Sequence, residues 1–148
     1  MHEAPTPSSL QVQDLVRQAF GWSEFDDVES ALQLKEALND HEHWNSANRE
    51  KTLEEVKSQL FKASRIVVIG AAVSADELRS YDEGTVFVAA DGAVGALSDY
   101  SQLACIVSDL DGASYLHQAA AHGQTIVVHA HGDNVNQWRN MIVEWSQF

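Results

Sequence analysis

Asp109 and Asp111 stand one residue apart at the end of an apolar run, Ile106-Val107-Ser108-Asp109-Leu110-Asp111-Gly112. If that run is a strand, its period of two sends both carboxylates to the same side, and Gly112 lets the backbone turn away. Two like charges placed together attract a cation. Oxygen-only ligation suits a hard ion such as magnesium, which keeps several waters and brings phosphate oxygens with it. The same residues also fit an acidic strand-to-helix turn in which Asp111 merely caps the following helix. A second polar cluster, His129-Ala130-His131-Gly132-Asp133-Asn134, follows another apolar run. His129 and His131 have the spacing of strand neighbours, which zinc and iron hydrolases also use, and Asp133 could add an oxygen ligand. The other histidines of this half, His117 and His122, fall on the intervening helix or at its end. The preferred reading is therefore a histidine that hydrogen-bonds phosphate or orients an acidic ligand, with Asp133 and Asn134 holding water or base edges. Two smaller motifs complete the set. The small residues of Gly70-Ala71-Ala72-Val73-Ser74 admit close approach of a phosphate while Ser74 suits a helix cap, and in Asp91-Gly92 the carboxylate either caps a helix or turns into a crevice.

These motifs need a frame, and the second part of the chain supplies one. From Arg65 onward, β-branched runs alternate with small-residue segments: Ile66-Val67-Val68-Ile69, Val86-Phe87-Val88-Ala89-Ala90, Ala104-Cys105-Ile106-Val107 and Thr125-Ile126-Val127-Val128. Continuous apolar strands separated by helices predict an α/β fold with a doubly wound, mostly parallel sheet of about four strands. The connecting helices are expected near 74–80, 92–100, 113–122 and 135–145. Each polar motif then falls at a strand's C-terminal end, the edge at which such sheets bind ligands, in the crevice at a switch of strand order. Neither G-x-G-x-x-G nor G-x-x-x-x-G-K-[ST] occurs, which disfavours a standard dinucleotide or Walker-type site.

Residues 1–62 read as an N-terminal helical segment, and 63–148 as the α/β nucleotide-binding domain. After a frayed lead-in over Met1 to Ser9, one amphipathic helix carries Leu10, Val12, Leu15, Val16 and Phe20 and stops near Gly21. Another carries Val28, Ala31, Leu32, Leu34 and Leu38 behind the capping acids Asp26 and Asp27. A third, over about 46–62, turns Leu53, Val56, Leu60 and Phe61 inward. Trp22, Phe25 and Trp44 are expected to plug helix contacts, and His41 and His43 to be solvated.

A formal net charge of -13 argues against binding a nucleic-acid backbone or an anionic membrane surface. All four lysines (Lys35, Lys51, Lys57, Lys62) precede the α/β part, and only Arg65, Arg79 and Arg139 follow. An anionic ligand of the second part must therefore be held by metal, helix N-termini and backbone amides. The lone Cys105 sits in an apolar run and is expected to be a buried thiol. With no apolar run long enough to span a bilayer, and no basic-then-apolar leader after Met1, the expected location is the cytoplasm.

Taken together, Ala89-Ala90-Asp91-Gly92-Ala93, the Ile106 to Gly112 motif and Val127-Val128-His129-Ala130-His131-Gly132-Asp133-Asn134, in this order and at these spacings, resemble the archaeal-type 6-hydroxymethyl-7,8-dihydropterin diphosphokinase family. Trp22 and Phe25 before a charged helix resemble its leader region. The resemblance implies a fold similar to the catalytic domain of thiamin pyrophosphokinases, and transfer of diphosphate from ATP to the hydroxymethyl group of a reduced pterin, with release of AMP. On that resemblance Asp109 and Asp111 are the Mg2+ ligands, and Asp91, Gly92, His129, His131, Gly132, Asp133 and Asn134 line the crevice. Its first-strand loop usually reads G-x-G-P-S, where this chain has Gly70-Ala71-Ala72-Val73-Ser74. Family members also continue through further strands, so the chain reads as incomplete relative to them, and an uncovered sheet edge favours a homo-oligomer.

Two other readings stay open. A non-catalytic nucleotide- or metal-binding fragment of the same fold needs no complete pocket. A haloacid-dehalogenase-type phosphatase would use Asp109 as nucleophile and Asp111 as acid/base, but it requires a downstream lysine and places its motif on the first strand.

Overall fold

The computed structural model describes residues 9–21 and 23–148; the lead-in over Met1 to Ser8 and the expected plug Trp22 lie outside the described residues. Three N-terminal helices, α1 (Ser9–Phe20), α2 (Glu24–Asn39) and α3 (Ser46–Lys62), precede the strands β1 (Arg65–Ile69), β2 (Thr85–Ala90), β3 (Leu103–Ser108) and β4 (Ile126–Val128). Between and after them come α4 (Ala75–Leu78), a 3₁₀ helix (Asp91–Ala96), α5 (Ala113–Ala121) and α6 (Val135–Trp145). The expected helix over 92–100 is thus a short 3₁₀ turn. Gly92 and Gly95 deny it the propensity to continue, and Leu97 is already extended at φ -78° and ψ 129°.

The four strands form one parallel sheet in the order β1-β2-β3-β4, the α/β architecture that the apolar runs predict. Helices lie on both faces, yet no reversal of strand order occurs among the described strands, so no switch point marks the crevice. Crossovers of one hand between consecutive strands put α4, the 3₁₀ helix and α5 on the same face. There Leu78, Ala93, Val94, Leu116 and Ala119 bury Ile69, Phe87, Ala89, Leu103 and Ile106. The opposite face is covered only in part, by α3, whose Val56 packs on Ala104 and Cys105 with Leu60, Val86 and Val88 alongside, while Ile66, Val68, Val107 and Val127 remain exposed. A shift of register, with Phe87 opposite Leu103 and then Val88 opposite Cys105, turns Ala104 and Cys105 to the same side. Burial pushes the Cys105 thiol pKa up, as befits a structural cysteine.

The N-terminal helices differ from the periodicity-based expectation. The α2 cap is Ser23, whose hydroxyl accepts from Asp26 N–H; Asp26 and Asp27 lie in the first turn. Its buried residues are Ser30 and Leu34, while Val28 and Leu32 are more than half exposed. The reason is polar: the buried Trp138 indole of α6 donates to Ser30 Oγ at 3.1 Å, and this bond fixes which side of α2 faces inward. Leu34, Ala130, Trp138 and Met141 then form a second core between α2 and α6. On α3, Phe61 is 92% exposed and Leu53 half so. Phe25 is exposed, and the half-buried Trp44 stacks on His41 beside residues of α2 and α3. No helix among the described residues is long and apolar enough to cross a membrane.

Candidate active site

The parallel strands deliver their polar motifs to one edge. Ser108, at the end of β3, ties two of them together. Its hydroxyl, 2% exposed, donates to Asp91 Oδ1 across the gap from β2 and accepts the Leu110 N–H at 2.8 Å. Asp91 and Leu110 both have positive φ, 50° and 79°, a left-handed conformation that costs a residue with a Cβ roughly 1–2 kcal/mol. Because Leu110 separates Asp109 from Asp111, the simple strand alternation expected of the pair ends at Ser108. The two carboxylates instead leave a turn held by the Ser108 hydroxyl. The loops also meet through glycine. A Cβ on Gly112 would sit 2.7 Å from Gly92 N and 3.0 Å from Asp91 Oδ1, so only glycine lets the β2 and β3 loops touch.

The loop after β4 is fastened to the same edge by Asn134. Its amide nitrogen donates to the carbonyls of Asp109 and His129, each at 2.9 Å, and its oxygen accepts from His131 N–H at 3.0 Å. With the side chain buried, Asn134 acts as an internal strut, and His129 N–H adds a bond to Ser108 O at 2.8 Å. The His131 ring pairs with Asp133, and the exposed His129 ring lies 5.3 Å from it. Gly132 N–H donates to Asp27 Oδ1 of α2 at 2.9 Å, and Arg17 of α1 approaches the other oxygen of Asp27 at 2.8 Å. That approach is an ionic contact, since Arg17 Nη1 lacks the alignment of a hydrogen bond. The Gly132 bond, and then the contact with Arg17 and its charge, hold the Asp27 carboxyl below its ordinary 3.8, against the opposing effect of burial.

Of the residues singled out from sequence, Asp91, Gly92, Asp109, Asp111, His129, His131, Gly132, Asp133 and Asn134 thus lie on three mutually linked loops. Gly70 and Ser74 do not join these bonds. Ser74 caps α4 in a reciprocal box with Glu77, and nothing lies within 4 Å of where a Gly70 Cβ would be. Sequence reasoning overlooked Ser108, Asp27 and Arg17. Ser108 stood inside the quoted motif, and its hydroxyl within an apolar strand was the available signal. Asp27 carried none, being 105 residues from its partner.

The carboxylates of Asp109 and Asp111 have no hydrogen-bond or ion-pair partner among the described residues. No group of three or more His, Cys, Asp or Glu side chains among those residues could hold a metal by itself. This donor set does not fit a closed zinc site, for which His131 is already paired. It fits magnesium, which takes one or two carboxylates and fills its shell with water and phosphate oxygens. Arg17 reaches this edge only through Asp27, and the other arginines are engaged elsewhere: Arg79 with Asp76, Arg65 over Tyr81, Arg139 over Trp138 and Arg49 with Asn39. A cavity of about 700 Å³ lies away from this edge, between α3, β4 and the ends of α2 and α6, and none of the strand-end carboxylates lines it.

The chain is 30% identical over 136 residues to the 6-hydroxymethyl-7,8-dihydropterin pyrophosphokinase of Methanocaldococcus jannaschii, a match that covers 86% of this chain and 53% of that protein. It therefore spans about half the length of the curated relative it matches. No family model matches the sequence, and no solved structure gives a significant match.

Proposed function

We propose that this chain carries the magnesium–nucleotide edge of a pyrophosphokinase that transfers diphosphate from ATP to 6-hydroxymethyl-7,8-dihydropterin. The observation that carries the reading is the pair of carboxylates, Asp109 and Asp111, unpartnered among the described residues, on loops locked to those of Asp91 and His129 to Asn134. Likeness to a pterin pyrophosphokinase over most of the chain supports the choice of substrates. Asp109 and Asp111 would hold the ion, which supplies charge neutralisation for the phosphate oxygens. The substrate hydroxyl oxygen attacks the β-phosphorus. The bond from that phosphorus to the bridging oxygen breaks, AMP leaves with the electron pair, and the hydroxyl proton passes to a base. Catalysis of this kind is mainly positioning and electrostatics. The shared loop bonds serve that purpose, because they keep the turn around Leu110 from relaxing. His129, exposed and without an acid partner among the described residues, and His131, paired with Asp133, would line the crevice beside the nucleotide.

The test is pterin-dependent formation of AMP from ATP and magnesium. The expected result is AMP that requires the pterin and vanishes in Asp109→Asn and Asp111→Asn. ATP binding without AMP would favour a binding-only role for this half-length chain, and release of phosphate from a generic phosphoester would point to the phosphatase reading instead.

A further inference from the structure

We infer that Asp27 of α2 is a positioning residue for the His129 to Asn134 loop, so that the N-terminal helices form part of the active-site edge. The inference rests on the pyrophosphokinase reading for its kinetic arm only. Three observations converge on the contact. Gly132 N–H donates to Asp27 Oδ1 at 2.9 Å, and this is the bond that carries the helical segment directly to the tip of the loop. A Cβ on Gly132 would stand 2.7 Å from Asp26 Cβ and 3.4 Å from its carbonyl carbon, so the loop backbone lies against the first turn of α2. Arg17 of α1 fixes the second oxygen of Asp27 at 2.8 Å, which leaves the first oriented toward the loop.

The loop is held from two sides. From within the α/β part, Asn134 binds the carbonyls of Asp109 and His129 and the N–H of His131. From outside, Asp27 takes the one N–H between His131 and Asp133, the residues whose side chains pair with each other. Asn134 thereby sets where the loop leaves the sheet, and Asp27 sets how its tip, with the His131–Asp133 pair, is turned. Asp27 touches no reacting atom in this arrangement. Its role is exerted through Gly132.

The experiment compares the wild-type chain with Asp27→Ala, Asp27→Asn and Gly132→Ala by amide NMR, hydrogen exchange and steady-state kinetics. In Asp27→Ala the Gly132 amide is expected to lose its protection and move upfield, with the sheet amides unchanged. In the kinetic arm kcat falls about tenfold while KM for ATP changes less than about twofold, as a misdirected group costs rate more than affinity. Asp27→Asn, which keeps a carbonyl acceptor but drops the charge facing Arg17, restores most of the loss. Gly132→Ala reproduces the loop change with Asp27 intact, and so guards against a variant that merely unfolds α2. An unchanged Gly132 amide in Asp27→Ala overturns the inference, and so does a freed amide with undiminished kcat. If the wild-type chain forms no AMP, the pyrophosphokinase reading fails separately. The deciding readout is then the shift of loop amides on adding magnesium–ATP: present in wild type and lost in Asp27→Ala supports the inference, and equal in both overturns it.

Discussion

The loop after β1 and the loops after the other three strands leave the same edge of one sheet, but they are built in opposite ways. Ser74 turns its hydroxyl back to Glu77 N–H, and Glu77 accepts from Ser74, so the first loop satisfies itself locally. Gly70 stands in open space. The later loops satisfy one another: Ser108 reaches Asp91, Asn134 reaches Asp109, and Gly92 presses on Gly112. Local bonds make a stable helix start wherever the loop happens to lie. Bonds between loops fix relative positions, which is what a site made of several strand ends requires.

That contrast predicts a graded series of effects. The largest belongs to Asn134→Ala, which strands the carbonyls of Asp109 and His129 and the N–H of His131 inside the protein. A loss of about 3 kcal/mol is expected from chemical denaturation. Gly112→Ala drives a methyl against Gly92 N and to 2.9 Å from Leu116 Cγ, backbone on one side and core on the other. It should cost about 2 kcal/mol and weaken magnesium–nucleotide binding more than Asn134→Ala does per unit of stability lost. Ser74→Ala removes the cap of the four-residue α4 and should cost about 1 kcal/mol while leaving nucleotide affinity unaltered. Gly70→Ala should be within about 0.5 kcal/mol of wild type. An affinity loss in Gly70→Ala or Ser74→Ala equal to that of Gly112→Ala would erase the distinction between the two kinds of loop.

Acidification provides a finer probe of the inter-helix contact. Asp27 has a folded-state pKa depressed below its ordinary 3.8, so its contribution is present above that value and is lost as pH falls through the lower folded one. Between about pH 5 and about pH 2, wild type should therefore lose more stability than Asp27→Asn, by an amount visible in paired denaturation curves. Equal losses would mean that Asp27 gains nothing from Gly132 and Arg17 in the folded state.

Much of the frame was legible because strands and helices announce themselves by local pattern. The β-branched runs from Ile66 to Val128 show too little polar alternation to be anything but strands of a sheet with helices on its faces, and the structure buries their centre, Ile69, Phe87, Ala89, Ala104, Cys105 and Ile106, while Ile66, Val68, Val107 and Val127 stay exposed. The motifs were legible for the same reason, since each interrupts an apolar run where the strand must end. Less was legible in the helical segment. Val28 and Leu32 have the spacing of an inward face, yet the Trp138 indole required an acceptor, and Ser30 turned α2 to meet it. The wish of a buried N–H for a partner outweighed two exposed aliphatic side chains.

The amino-acid sequence by itself determined that four parallel strand ends would carry acids, histidines and glycines to one edge, because strand periodicity and the breaks in it are local properties. Only the tertiary structure decided which of those ends cooperate. The Ser108 to Asp91, Asn134 to Asp109 and Asp27 to Gly132 bonds join residues 17, 25 and 105 positions apart. Such pairings depend on register, on which face each crossover takes and on where α2 comes to rest, and none of these is fixed until the sheet and its helices have packed.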